Sequence, residues 1–165
     1  MAVLVLLTLA GCGYRPVGRA GLPPGTERPV LAIPLFANRS TEVGLEAVFA
    51  NSFIETFGRC KVLRLTTRPE NANLVLEGKI SSVTKSSVAF FDINRSLVRR
   101  VTIRVDLQLT RRDTGQVVWK DSDIVQEDYT IETSFQQGES LKKMGVRRGA
   151  ATLAKKMLDK ILLVI

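Results

Sequence analysis

Val101-Thr102-Ile103-Arg104-Val105-Asp106-Leu107-Gln108-Leu109-Thr110 alternates apolar and polar residues without a miss over ten positions. Successive side chains of a strand point to opposite faces. Val101, Ile103, Val105, Leu107 and Leu109 therefore make a core face, and Thr102, Arg104, Asp106, Gln108 and Thr110 make a wet one. Asp113-Thr114-Gly115 reads as a tight hairpin turn. Residues 116–125 (QVVWKDSDIV) supply the return strand and carry Trp119, the only Trp of the chain.

Upstream, Leu74, Leu76, Gly78, Ile80 and Ser82 alternate with Val75, Glu77, Lys79, Ser81 and Val83, a second long strand. Residues 30–36 (VLAIPLF) are apolar throughout and read as a short buried strand. Pro34 inside it predicts an edge position or a bulge, because proline has no N–H for a ladder. Residues 38–41 make a turn, with Ser40 or Thr41 as helix N-cap and Glu42 in the first turn. Leu45, Phe49, Phe53 and Phe57 follow at i+4 spacing as one apolar helix stripe, opposed by Glu46, Asn51 and Glu55. Gly58 ends that helix, and residues 61–65 form a brief strand.

Downstream, a loop is expected to Gly138. Leu141, Met144, Ala151, Ala154, Leu158, Ile161 and Ile165 then mark a long helix. Its other face carries Lys142, Lys143, Arg147, Lys155, Lys156 and Lys160, read as solvated. The order is strand, helix, strand, a run of strands, helix. It predicts an α/β (α+β) fold: a mixed four- to five-stranded sheet with two helices packed on one face.

Residues 3–9 are an apolar run, and Leu9-Ala10-Gly11-Cys12 closes it. The run is shorter than the roughly 20 residues needed to span a bilayer. Small residues before a cleavage point read as a secretory signal peptide, and L-A-G-C resembles the lipobox of bacterial lipoproteins. Residues 1–11 are then a signal peptide and Cys12 the acylated first residue of the mature chain. Residues 1–11 hold no Lys or Arg, so the basic start of such a leader is expected upstream of Met1. Residues 12–29 read as the lipidated Cys and an extended tether rich in Pro and Gly, and residues 30–165 as a single domain. The 17 residues from 13 to 29 span at most about 60 Å stretched and about 20–25 Å as a relaxed coil. The domain is expected to work close to its membrane.

The formal net charge of +8 suggests acidic partners. In an exported protein these are anionic lipid, lipopolysaccharide or an acidic protein surface rather than nucleic acid; a basic surface kept for solubility is the plainer alternative. There is no histidine, which removes the commonest general base and metal ligand. No metal-site spacing and no phosphate loop is present. With Cys12 acylated, Cys60 has no partner and reads as a small partly buried hydrophobe. Asp121 and Asp123 share a strand face, but nothing in the sequence places them in a pocket. The chain reads as a non-enzyme with no cofactor beyond the lipid on Cys12.

The chain resembles the LPS-assembly lipoprotein family, the LptE proteins of the outer membrane. The carrying residues are Gly11-Cys12-Gly13-Tyr14 with Pro16, Val30-Leu31-Ala32-Ile33-Pro34-Leu35-Phe36 followed by Asn38, and Ala72-Asn73-Leu74-Val75-Leu76-Glu77-Gly78-Lys79-Ile80. The amphipathic C-terminal helix completes the match, which covers nearly all of the mature chain in element order. The resemblance implies a lipid-anchored protein on the periplasmic side of the outer membrane. Its implied partners are lipopolysaccharide and the lumen of a large β-barrel assembly protein (LptD-like). Gly13, where Asp would signal inner-membrane retention, fits outer-membrane sorting. The wet face from Thr102 to Thr110 suits a polar barrel lumen, or simply meets water.

Lipopolysaccharide presents phosphates beside acyl chains, so its site needs guanidinium or ammonium groups next to apolar surface. Phe90, Phe91, Arg95, Arg99 and Arg100, between the two long strands, supply both. Arg111 and Arg112, at the other end of the same strand, are a second basic candidate. In the plainer reading the Phe pair packs under the loop and the arginines are solvated. A competing function is an envelope lipoprotein that activates a peptidoglycan synthase, against which the short tether argues.

Overall fold

The structure is a computed structural model and describes residues 27–90, 97–131 and 135–165. The expected signal peptide, Cys12, most of the expected tether, Phe91 and Arg95 lie outside the described residues. Six strands and two helices follow in the order β1 (Val30–Ala32), β2 (Ala37–Asn38), α1 (Leu45–Gly58), β3 (Arg64–Thr66), β4 (Leu74–Phe90), β5 (Leu97–Arg111), β6 (Val117–Ile131) and α2 (Phe135–Ile161). A single 3-10 turn, Pro69–Asn71, leads into β4. The sheet order is β3-β1-β4-β5-β6, with β2 also on β4. β1, β2 and β3 run parallel to their partners, whereas β4, β5 and β6 are antiparallel. The mixed sheet with two helices is the expected fold, with one strand more than anticipated.

That extra strand comes from Pro34. Within the apolar run 30–36 only Val30–Ala32 is strand; pairing resumes just after the run, at Ala37–Asn38, on the same partner β4. Ala32 faces Val75 and Ala37 faces Lys79, so five steps on one side oppose four on the other. The proline has no N–H to give the ladder, and the surplus residue bulges there. The bulge was legible; the edge position was not, since β1 lies between β3 and β4. Leu35 is thrown into solvent while Phe36 turns into the core.

Phe36, Phe49, Phe53 and Phe57 build the aromatic centre of the core. Phe36 meets Phe53 edge-on at 5.1 Å between ring centroids, and Phe53 stacks on Phe57 at 5.8 Å. The expected cap of α1 is displaced. Gly44 holds the N-cap position at φ 91°, in the left-handed region glycine favours. The Glu46 carboxylate accepts the Gly44 N–H. Ser40 instead closes a turn, donating its N–H and hydroxyl to Asn38 Oδ1.

Strands β4, β5 and β6 extend well past their apolar alternation, to 17, 15 and 15 residues. Register shifts after Ile80 and Ser87 re-aim β4 twice. β6 runs on to Ile131 where a loop was expected, and α2 starts at Phe135, with Gly138 inside it. The buried face of α2 is also rotated from the expected stripe. Met144 and Ala151 are exposed, whereas Lys142, Gly145, Val146, Gly149, Ala150, Leu153, Ala154, Met157 and Ile161 are buried. The cause is that α2 lies close on β6 through Gly145 and Gly149, which carry no hydropathy signal.

Candidate functional site

Both helices cover one face of the sheet, so the other face of β4, β5 and β6 is bare. Thr102, Arg104, Asp106, Gln108 and Thr110 run up its centre, as the alternation predicts. Lys79 and Glu77 of β4 flank them on one side, and Lys120, Ser122, Ile124 and Gln126 of β6 on the other. The face is polar and internally bonded. Asp106 accepts the Ser122 hydroxyl at 2.7 Å and pairs with Lys79 at 3.5 Å. The Ser122 bond, with Ser81 and Lys79 behind it, holds the Asp106 carboxyl below its ordinary range against the opposing effect of burial. Arg104 is exposed and has no ion-pair partner among the described residues.

The candidate lipopolysaccharide residues fall at two opposite poles of this sheet. Phe90 ends β4 and sits opposite Leu97. Arg99 and Arg100 are strand residues of β5 rather than loop residues. The Arg100 guanidinium grips Asp128 across the ladder, Nε at 2.6 Å and the terminal nitrogen at 2.8 Å. Its fork is thus committed within the fold. Arg99 lies between Ser87 and Tyr129 and pairs with no described carboxylate. Arg111 closes β5 at the other pole and Arg112 opens the hairpin, both exposed.

The basic face of α2 is not simply solvated. Lys160 pairs with Asp121, Lys156 with Asp123 at 2.6 Å, and Arg148 with Glu127 at 3.4 Å. Asp121 and Asp123 do share a strand face, and that face is the one α2 covers. Burial pushes the Asp123 carboxyl up, but the Lys156 bond, the Ile124 N–H and the charge of Lys160 outweigh it and hold it down. Lys142 is buried, and its Nζ reaches Glu139 at 2.7 Å and Glu42 at 3.2 Å. Glu42 also takes Lys85 of β4, the main cause of its lowered pKa. A cleft of about 410 Å³ opens between the start of α1 and the middle of α2, with Lys142, Lys143 and Arg147 on one wall. Sequence reasoning missed this knot; a Lys four residues before Val146 looked like surface.

These pairs set a pH dependence. Asp123 and Glu42 have folded values below their ordinary ones. Their contribution is complete above the ordinary carboxylate range and is lost as pH falls through the lowered folded values. Lys142 is raised by Glu139 and Glu42 against burial, so its share is complete below the ordinary lysine value and fades as pH rises through the raised one. Thermal melts followed by circular dichroism are expected to be flat through neutrality and to fall below about pH 4. Asp123→Asn should shallow that acid limb; an unchanged limb would remove Asp123 from the account.

The model of the lipopolysaccharide-assembly family LptE matches residues 29–163. The chain belongs to this family. No curated protein sequence matches it significantly. Several solved structures share the LptE-family fold of this chain. A Chlamydia trachomatis protein aligns at a TM-score of 0.58 with 10% identity, covering 82% of this chain and 96% of its own. A Xanthomonas campestris protein aligns at 0.57 with 9% identity, covering 88% and 92%. The rare lipoprotein B of Shewanella oneidensis aligns at 0.51 with 10% identity, covering 81% and 93%. At such identities the likeness is one of fold. Membership in the LptE family makes this a lipopolysaccharide-assembly protein. Among the described residues no helix is long and apolar enough to cross a membrane.

Proposed function

We propose that this chain is an outer-membrane lipoprotein, anchored through Cys12, that plugs and helps assemble a β-barrel lipopolysaccharide translocon and contacts lipopolysaccharide in passage. The observation that carries the barrel partnership is the bare polar face of β4, β5 and β6. A plug must present polar surface to a lumen that is itself polar. It must also be long enough. The 15 residues of β5 extend about 50 Å at strand rise, against an apolar barrel band of about 25 Å. The internal bonding of the face by Asp106, Ser122 and Lys79 keeps it rigid, so little order is lost on docking. For lipopolysaccharide, Phe90, Phe91, Arg95 and Arg99 are the proposed contact set, with Arg100 reassigned to holding the ladder.

The test reverses charge and adds bulk on this face without touching its bonded residues. Arg104→Glu with Gln126→Trp is expected to cut the β-barrel recovered with the tagged protein from native membranes at least about tenfold, the effect of roughly 1.4 kcal/mol. The melting temperature should stay within a few degrees, since both side chains are exposed. Undiminished barrel recovery defeats the proposal, and recovery of a peptidoglycan synthase instead would replace it with the regulatory reading.

A further inference from the structure

One pole of the molecule gathers basic side chains, bare apolar residues and the point where the chain leaves toward its N-terminus. Backbone bonds knot it together. Val30 and Asn73 exchange N–H donations, to Asn73 Oδ1 at 2.9 Å and to the Val30 carbonyl at 2.8 Å. The Arg64 N–H donates to the Pro29 carbonyl at 3.1 Å, and the Arg112 N–H to the Asn73 carbonyl at 3.0 Å. Arg28, Arg64 and Arg112 are thereby drawn to one spot, with Arg111 opposite Leu74 next to them and Lys61 and Arg68 within four residues of Arg64 along the chain. All six are exposed, and none is in an ion pair among the described residues. Glu27, Glu70 and Asp113 are the acids nearby in sequence, which leaves a surplus of three positive charges (six minus three).

α2 runs antiparallel to β6, as the pairs Arg148–Glu127, Lys156–Asp123 and Lys160–Asp121 show. Its last turn therefore reaches this same pole. There Leu163 is 71% exposed, Val164 43% and Ile165 41%, and Val117 at the start of β6 is 47% exposed. Apolar side chains framed by arginine and lysine are what an anionic lipid surface binds: the apolar group enters the headgroup layer and the cations meet phosphate.

We propose that this pole docks on an anionic phospholipid leaflet, with Leu163 seated among the headgroups and Arg64, Arg111 and Arg112 on their phosphates. The position of the pole fits, because Glu27 lies only 15 residues after Cys12. That one argument rests on the anchored reading proposed above; the surface chemistry does not. Docking here holds the bare sheet face clear of the bilayer, available to a barrel.

The test uses the full lipidated chain in vesicles, with Cys60→Ser and a solvent-sensitive dye on Leu163→Cys. A second sample carries the dye on Thr84→Cys, toward the far pole. Vesicles are phosphatidylcholine alone, phosphatidylcholine with one third phosphatidylglycerol, or phosphatidylcholine doped with lipopolysaccharide. The dye at 163 is expected to shift to the blue and escape a water-soluble quencher only with phosphatidylglycerol. Triple reversal, Arg64→Glu with Arg111→Glu and Arg112→Glu, should weaken that protection about tenfold or more, since each basic group near an anionic surface adds roughly fivefold. The proposal is overturned if the dye at 163 stays in water, if the dye at 84 is equally shielded, or if lipopolysaccharide alone produces the shift. Mass analysis of Cys12 is read separately. A chain without lipid there refutes the anchor, and its sedimentation with phosphatidylglycerol vesicles still decides docking.

Discussion

Gly78→Ala is expected to destabilise the fold by about 3 kcal/mol, the upper part of the range for overpacking a filled core. A Cβ at residue 78 would lie 2.2 Å from Phe36 Cε2 and 2.4 Å from two further ring atoms. The ring cannot step aside, because Phe36 is 3% exposed and wedged against Phe49 and Phe53. Gly78 is the fifth residue of the 17-residue β4 and faces Leu107 across the ladder, next to the Ala37–Lys79 pair, so a backbone shift would strain the pairings of β4 with β5 and with β2 together. In a domain of this size the melting temperature should drop by about 6–12 °C. Phe36→Leu alone leaves a cavity, yet combined with Gly78→Ala it should recover part of the loss, since the two residues contend for one volume. Additive losses in urea unfolding would show that the clash is relieved elsewhere.

The same pair explains why parts of the fold were legible and others were not. Leu76, Ile80 and the β5 alternation announce a sheet face in period two, and the four-residue spacing of Leu45, Phe49, Phe53 and Phe57 announces a helix. Both signals come from side chains that bury apolar surface. Phe36 lies in the same apolar run as Leu31, but only Pro34 hints that its register slips, and only the β4 pairing shows that it slips by one residue. The ends of β4 and β5 were hidden because they carry Ser, Thr, Lys and Arg on a bare sheet, and that of β6 because Gln126, Glu127 and Asp128 interrupt its apolar residues. Hydrogen bonding to the neighbouring strand, rather than burial, makes them strands.

The candidate site divides along the same line. The wet face from Thr102 to Thr110 was readable because alternation fixes which residues share a side. The fate of individual charges was not. Arg100 and Asp128, 28 residues apart, meet only because the ladder register sets them opposite each other. Lys142 and Glu42, 100 residues apart, meet because α1 packs on α2. Charge pairing of this kind depends on tertiary placement. A helix face rich in lysine therefore reads as solvated until the acidic strand beneath it is known.

Gly149→Leu should be the most damaging change on α2, for a reason its neighbour Gly145 isolates. A Cβ at 149 would meet Val125 Cγ1 at 2.3 Å and Glu127 Cγ at 3.1 Å. Val125 is buried and Glu127 is tied to Arg148, so neither yields freely. A Cβ at 145 would find its nearest atom, Glu127 Cβ, at 3.4 Å, an ordinary contact. Gly145→Ala is therefore expected to raise stability by up to about 1 kcal/mol, the helix-propensity gain over glycine. The same substitution at 149 should lower it by about 1–2 kcal/mol, the clash outweighing that gain. Leucine at 149 goes further, because its branch needs the space that β6 occupies. α2 must then lift away, and the pairs of Lys156 with Asp123 and Lys160 with Asp121 stretch with it. Unfolding of Gly149→Leu is expected at a denaturant midpoint lower by about 1–3 M urea, from a loss near 3 kcal/mol and a slope of roughly 1–3 kcal/mol per molar. Its acid limb should also be shallower than the parent's, because a lifted helix no longer holds the Asp123 carboxyl down. Equal responses to alanine at 145 and 149 would mean that the helix rests on β6 less closely than Gly149 requires.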